Sequence, residues 1–208
     1  MNAELKNNVP LQARIELAIK FFLRRFNIDI RRIHQGQHGQ NQHASETSKC
    51  RARLVRYCTG NGLDLGPGGD PILASSVRVD LPKPYSFVGD LPVQLTGSAD
   101  HLYWFADNTL DYIFSSHLLE DFQDTETVLQ EWLRPLKSGG RLVIFCPDEQ
   151  VYRKHCQSTG QPYNYNHVHA DFSLAKVKGI LSRMNNNRIV YELDLVDIYS
   201  WELVAEKL

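Results

Sequence analysis

The sequence predicts an α/β domain built on a mainly parallel sheet with helices on both faces. Three observations predict it. From about residue 50 onward, short apolar strand-like runs alternate with helical segments, the order that parallel βαβ units require. One of these runs breaks into a glycine turn, and the next ends in an acid, Asp80. The last two runs, 188–194 and 200–207, have no helix-length segment between them, so they form an antiparallel hairpin at the sheet edge.

The elements follow in order. Residues 11–26 place Leu11, Ile15, Ala18, Phe22 and Phe26 at helical spacing, which gives an amphipathic helix with a basic outer face. Residues 34–43 are rich in Gln, Gly and His without an apolar period and read as a flexible linker or lid. Helical character resumes over 49–59. Residues 62–65 form a strand that ends in Gly66-Pro67-Gly68-Gly69, residues 77–80 a second and 110–115 a third. A helix over 124–136 carries Val128, Leu129, Trp132 and Leu133, and 137–140 make a turn into a buried strand at 141–145. Residues after Pro147 read as irregular through 170, followed by a helix at about 172–184. The organisation expected is an N-terminal helix and lid over 1–48 and one α/β domain over 49–208.

Charge narrows the function. Lys and Arg total 23 against 24 Asp and Glu in 208 residues, so no global basic field points to nucleic acid. Local basic clusters at Arg24, Arg25, Arg31 and Arg32, and at Lys49, Arg51, Arg53 and Arg56, read as solvated helix faces. The cysteines, Cys50, Cys58, Cys146 and Cys156, form no C-x-x-C pair and read as reduced thiols of a cytoplasmic protein. The stretch 15–26 is too charged and too short to span a bilayer.

A strand, a glycine turn and a second strand ending in an acid form a nucleoside-binding arrangement. Glycines let the backbone turn sharply and approach a ligand without a Cβ clash. An acid at the next strand tip accepts hydrogen bonds from both ribose hydroxyls. By itself the glycine turn is weak, because loops contain Gly-Pro-Gly-Gly for turn reasons alone.

Four stretches taken together resemble the class I S-adenosylmethionine-dependent methyltransferases, in particular the small-molecule and glycan branch. They are 62–69 (GLDLGPGG), Asp80, 107–121 (DNTLDYIFSSHLLED) and 131–144 (EWLRPLKSGGRLVI). The likeness runs from about residue 50 to the C-terminus in the family's order. It implies a Rossmann-like, seven-stranded, mostly parallel sheet with an antiparallel last strand, and S-adenosyl-L-methionine as cofactor. It also implies roles. Asp64 helps hold the methionine amino end, Gly66 and Gly68 pass close to the ligand, Asp80 holds the ribose and Leu81 packs on the adenine. Ser98 and Ala99 meet the adenine edge, and Ser115, Ser116 and His117 line the floor near the methionine part and the substrate.

Two departures stand out. Asp70 replaces the third glycine, and Pro71 follows, so the helix between the first two strands is short or missing. Ser98 stands where the family often has Asp, with Asp100 nearby as a substitute. The same departures argue against a nicotinamide enzyme. That fold needs G-x-G-x-x-G and a helix N-terminus for a pyrophosphate, whereas adenosylmethionine carries no phosphate.

Methyl transfer from a sulfonium needs mainly an acceptor atom placed in line at about 3–3.5 Å. A hydroxyl acceptor also calls for a base, for which His is suited near neutral pH. His117 and His167 are the candidates, with His169 beside the second. Each has a structural alternative: a loop-orienting hydrogen bond for His117 and a backbone-bonded loop histidine for His167. No metal is expected, because the His-Val-His pair has no third ligand spaced nearby. Glu120 is a further candidate base or an ion-pair partner. The reading is a methyltransferase acting on an oxygen, or a nitrogen, of a small molecule or glycan. Its alternatives are a non-catalytic S-adenosylmethionine-binding protein and an RNA or protein methyltransferase. No membrane or nucleic-acid partner is expected, and a homodimer is allowed.

Overall fold

The structure is a computed structural model and describes residues 45–208. The helix expected at 11–26 and the Gln/Gly/His stretch at 34–43 lie outside the described residues. Among these, the elements are α1 Glu46–Leu54, β1 Gly62–Leu65, β2 Val77–Asp80, β3 Leu95–Thr96, β4 Leu110–Ser116, α2 Thr125–Leu133, β5 Leu136–Pro147, α3 Glu149–Thr159, α4 Leu174–Met184, β6 Asn187–Val196 and β7 Ser200–Lys207. Short 3-10 turns occupy Val55–Tyr57 and Leu119–Asp121.

The strands form one sheet in the order β3-β2-β1-β4-β5-β7-β6. The pairs from β3 through β5 are parallel. β7 runs antiparallel to both β5 and β6, as the short connection after 194 requires. This is the Rossmann-like seven-stranded sheet with an antiparallel last strand.

Alternation along the central strands feeds two cores. Leu63, Leu65, Ile113, Leu142 and Ile144 pack on one face against Val128, Leu129, Trp132 and Leu133 of α2 and Val177 and Leu181 of α4. Tyr112, Phe114, Val143 and Phe145 pack on the other face, against Cys50 and Leu54 of α1. Both faces of β4 and β5 are covered, which is why these strands read as continuous apolar runs. The four cysteines are reduced and buried.

Two sequence expectations are corrected. The irregular stretch after Pro147 contains α3. Its start is set by Asp148, whose Oδ1 accepts from the backbone N–H groups of Gln150 and Val151 at 3.1 Å each, and its end by Gly160 at φ 72°. Apolar periodicity misses α3 because the helix buries little more than Glu149 and Cys156. The turn expected at 137–140 lies inside β5, which already pairs with Leu110 at Leu136, with a register shift between Leu110 and Tyr112. Replacing Asp148 by alanine should cost about 1 kcal/mol, the usual worth of an N-cap. Urea unfolding would read it as a lower midpoint at unchanged slope.

The first crossover contains no helix. Residues 66–76 pass from β1 to β2 through turns, as Asp70 and Pro71 led one to expect. Asp70 instead ties the turn to α1. It accepts hydrogen bonds from the Ser45 hydroxyl and from Arg51 Nη2, which also donates to the Pro71 carbonyl at 3.0 Å.

Candidate active site

The order β3-β2-β1-β4 reverses direction between β1 and β4, and ligands of such sheets bind outside the carboxyl ends of the strands at that switch point. Asp64, Gly66, Asp80, Ser115, Ser116 and His117 all lie at this edge, on or just beyond the ends of β1, β2 and β4.

On the nucleoside side, Gly66 and Gly68 adopt φ of 67° and 54°, in the left-handed region that favours glycine. Gly66 N–H donates to the Val79 carbonyl at 2.9 Å, which locks the turn to the end of β2. The segment 86–91 folds onto the turn. Val88 and Gly89 donate to the Gly68 carbonyl, and Leu91 donates to Gly69. A Cβ at Gly68 would sit 3.2 Å from the Ser86 carbonyl oxygen, so glycine there also serves the chain's own close packing. The Asp80 carboxylate accepts from Leu81 N–H at 2.8 Å and, weakly, from Gly68 N–H at 3.4 Å, and burial raises its pKa. Leu81 is partly exposed. The Ser98 hydroxyl donates to Asp100, which also holds His101. Trp132 Nε1 donates to the Ala99 carbonyl at 2.7 Å and fixes that loop.

The residues present fit S-adenosyl-L-methionine. Asp64 is fully buried, with one carboxylate oxygen accepting from Ile72 N–H at 2.5 Å and the other without a hydrogen-bond partner. Burial raises its pKa well above the usual range. The Ser115 and Ser116 hydroxyls are also buried without partners. Orphaned polar atoms at a ligand edge are groups that a polar ligand would satisfy.

A second polar group is built around His117 and His167. His117 adopts φ 49°, and its N–H donates to the Phe145 carbonyl at 2.8 Å. Its Nε2 lies 3.2 Å from Ser200 Oγ and 3.3 Å from Glu46 Oε2. Burial pushes its pKa down to about 4 despite Glu46, so it stays neutral near pH 7.

His167 is held differently. Its Nδ1 lies 2.9 Å from Glu149 Oε2. The other Glu149 oxygen takes Arg153 Nε at 2.7 Å and the Tyr163 hydroxyl. Burial opposes charge on Glu149, but the His167, Tyr163 and Arg153 contacts outweigh it and lower its pKa. Burial likewise opposes charge on His167; the Glu149 hydrogen bond and the Glu120 and Asp121 carboxylates raise its pKa above the usual value. Nε2 of His167 faces Glu120 Oε1 at 3.6 Å. Tyr152 and Tyr163 wall the imidazole, at ring centroid distances of 5.0 and 5.8 Å. His169 turns away, its Nε2 lying 2.8 Å from the Phe122 carbonyl oxygen and 3.2 Å from Thr125 Oγ1.

Sequence reasoning missed Glu149 because it missed α3. Asp148 as N-cap and the four-residue spacing of Glu149 and Arg153 were the available signals. It also missed the Tyr85 hydroxyl, which donates to Asp121 at 2.8 Å and joins the β2–β3 loop to the turn after β4.

Residues 73–144 match the family model described as a methyltransferase domain. No curated protein matches the chain. Among solved structures, the chain is similar to a protein from Pyrococcus horikoshii, at 19% identity and TM-score 0.59, covering 82% of this chain and 93% of that one. An S-adenosylmethionine-dependent methyltransferase from Archaeoglobus fulgidus is similar at 18% identity and TM-score 0.58, covering 77% and 94%. A further such enzyme, from Thermotoga maritima, is similar at 17% identity and TM-score 0.57, covering 78% and 91%.

Proposed function

We propose that this S-adenosylmethionine-dependent methyltransferase acts on an oxygen or nitrogen of a small molecule or glycan, with His167 as the base that takes the acceptor's proton. The observation that supports this reading is the buried pair of His167 and Glu149 at 2.9 Å, on the acceptor side of the sheet edge. With Glu149 accepting from Nδ1–H, the lone pair of the neutral imidazole would be on Nε2, which lies 3.6 Å from Glu120 Oε1. The bound cofactor supplies an electrophilic methyl group on a sulfonium. Asp80 would hold its ribose beside the Gly66–Gly68 turn, Leu81, Ser98 and Ala99 its adenine, and Asp64, Ser115 and Ser116 its methionine end. His117, neutral and braced by Ser200 and Glu46, shapes the floor and serves as the second candidate for the base. Tyr152 and Tyr163 pack against the His167 ring, and Phe145 against that of His117.

Transfer of isotope-labelled methyl groups tests this reading. The enzyme is incubated with labelled S-adenosylmethionine and, separately, with small amines, small alcohols, glycans, RNA and protein. Label is expected in one of the first three classes. Label in RNA or protein alone would overturn the acceptor class. Binding of S-adenosylhomocysteine with no transfer to any class would instead favour a non-catalytic binding protein.

A further inference from the structure

Glu120 is a buried carboxylate that the mechanism above does not use. It is fully buried, and neither carboxylate oxygen has a hydrogen-bond partner among the described residues. Leu119, beside it in the same 3-10 turn, is packed in the core, whereas the Glu120 carboxylate has His167 Nε2 and His117 Nδ1 beyond hydrogen-bond distance and Cys146 about it. A buried polar group left unsatisfied is destabilising and signals a partner outside the protein chain.

We infer that Glu120, with Asp121 beside it, forms a subsite that holds an ammonium group of the acceptor. The inference rests on the methyltransferase reading above and names the chemical class of its acceptor. Four observations support a cation over an anion or a neutral hydroxyl. First, Asp121 contributes a third buried oxygen, Oδ1, that has no partner, while its Oδ2 accepts from Tyr85. Second, the cations nearest the site are already engaged. Arg153 is bound to Glu149 and Tyr163, and Lys49 to Glu46. Third, aromatic rings stand about the two histidines that flank Glu120. Tyr152 lies against both His167 and Tyr199, at 5.0 and 4.9 Å, and Tyr199 lies 6.1 Å from the His117 ring. Such faces favour cations electrostatically. Fourth, Glu120 stands between the candidate bases, 3.6 Å from His167 Nε2 and 3.8 Å from His117 Nδ1. An ammonium held there would favour the neutral imidazole of His167, the form a base needs.

Several titratable groups surround Glu120: His117 just after β4, Asp121 of its own turn, Cys146 of β5, His167 from the segment after α3 and Tyr85 from the β2–β3 loop. Burial pushes its pKa up to about 8, with His167 pulling the other way. Burial thus favours the neutral acid in the empty subsite, and an arriving ammonium favours the carboxylate.

The test uses protein saturated with S-adenosylhomocysteine and two probes of one shape, benzylamine and benzyl alcohol, titrated by ligand-observed NMR at pH 7 and 8.5. Benzylamine should bind at least tenfold tighter than the alcohol, and tighter still at pH 8.5, where Glu120 is ionised. Glu120→Gln should bring the amine down to the alcohol while leaving S-adenosylhomocysteine affinity within a few fold. Asp121→Asn should weaken the amine by a smaller factor. The wild-type comparison stands even if a variant fails to fold. Equal binding of the two probes, no benzylamine binding, or an amine preference that survives Glu120→Gln would each overturn the subsite. Failure of the wild type to bind S-adenosylhomocysteine would overturn the methyltransferase reading instead.

Discussion

Replacing His167 by alanine should lower methyl transfer by ~10²–10⁴-fold, the usual size of general-base catalysis, while S-adenosylhomocysteine affinity changes by no more than a few fold. The pH profile separates a base from a structural histidine. His167 carries a pKa raised above its usual value, with burial opposed by the Glu149 hydrogen bond and the Glu120 and Asp121 charges. A base works deprotonated, so wild-type kcat/KM should rise with pH through an acidic limb lying above the ordinary histidine value. Glu149→Gln keeps the shape of the contact but removes its charge, so it lowers the histidine pKa. The limb should then move to lower pH while the plateau falls, because the imidazolium formed in the transition state loses its counter-charge. If the limb stays in place in Glu149→Gln, or if His167→Ala keeps full turnover, His167 is not the base. His117, with a pKa pushed down to about 4, would give a limb near that value instead.

The second large effect concerns Asp80. Charge-assisted hydrogen bonds are worth about 1.5–3 kcal/mol each. Loss of a carboxylate holding two ribose hydroxyls, with partial rescue by water, should weaken S-adenosylhomocysteine binding by roughly 10- to 1000-fold. Asp80→Asn should fall between wild type and Asp80→Ala. Asp90, exposed in the β2–β3 loop, is the control and should bind as wild type when changed to alanine. Calorimetry on the three variants decides the assignment. An Asp80→Ala protein with unaltered affinity would remove the ribose role from the end of β2.

The sheet was legible because its strands obey local rules. β4 and β5 are buried on both faces and read as apolar runs, and the absence of a helix between β6 and β7 dictated their antiparallel pairing. The helix-free first crossover was legible from Asp70 and Pro71. β3 was not read as a strand, because its two residues are too few for any period. α3 was missed because a helix lying on the surface by its polar side shows no apolar stripe, and its capping residue Asp148 was not weighed as a start signal.

Asp80 was singled out because it ends a strand after the glycine turn, whereas Asp64, Ser115, Ser116 and His117 came from the family resemblance, and His167 from its place in the His-rich stretch after the fifth strand. The partnership of Glu149 with His167 spans 18 residues and arises from the packing of α3 against the segment that follows it. Tyr85 reaches Asp121 across 36 residues. No spacing rule connects such pairs, because the loops between them set their geometry.

The missing helix after the glycine turn also changes the electric field at the cofactor end. A helix beginning there would aim the positive end of its dipole at the ligand. That pole is absent, and the acids Asp64, Asp70 and Asp80 surround the turn, with Asp70 offset by Arg51 at 2.5 Å. With Asp70 paired to Arg51 and burial raising the pKa of both Asp64 and Asp80, the turn carries neither a helix pole nor three full negative charges, and what it offers a ligand is hydrogen-bonding groups rather than a strong field.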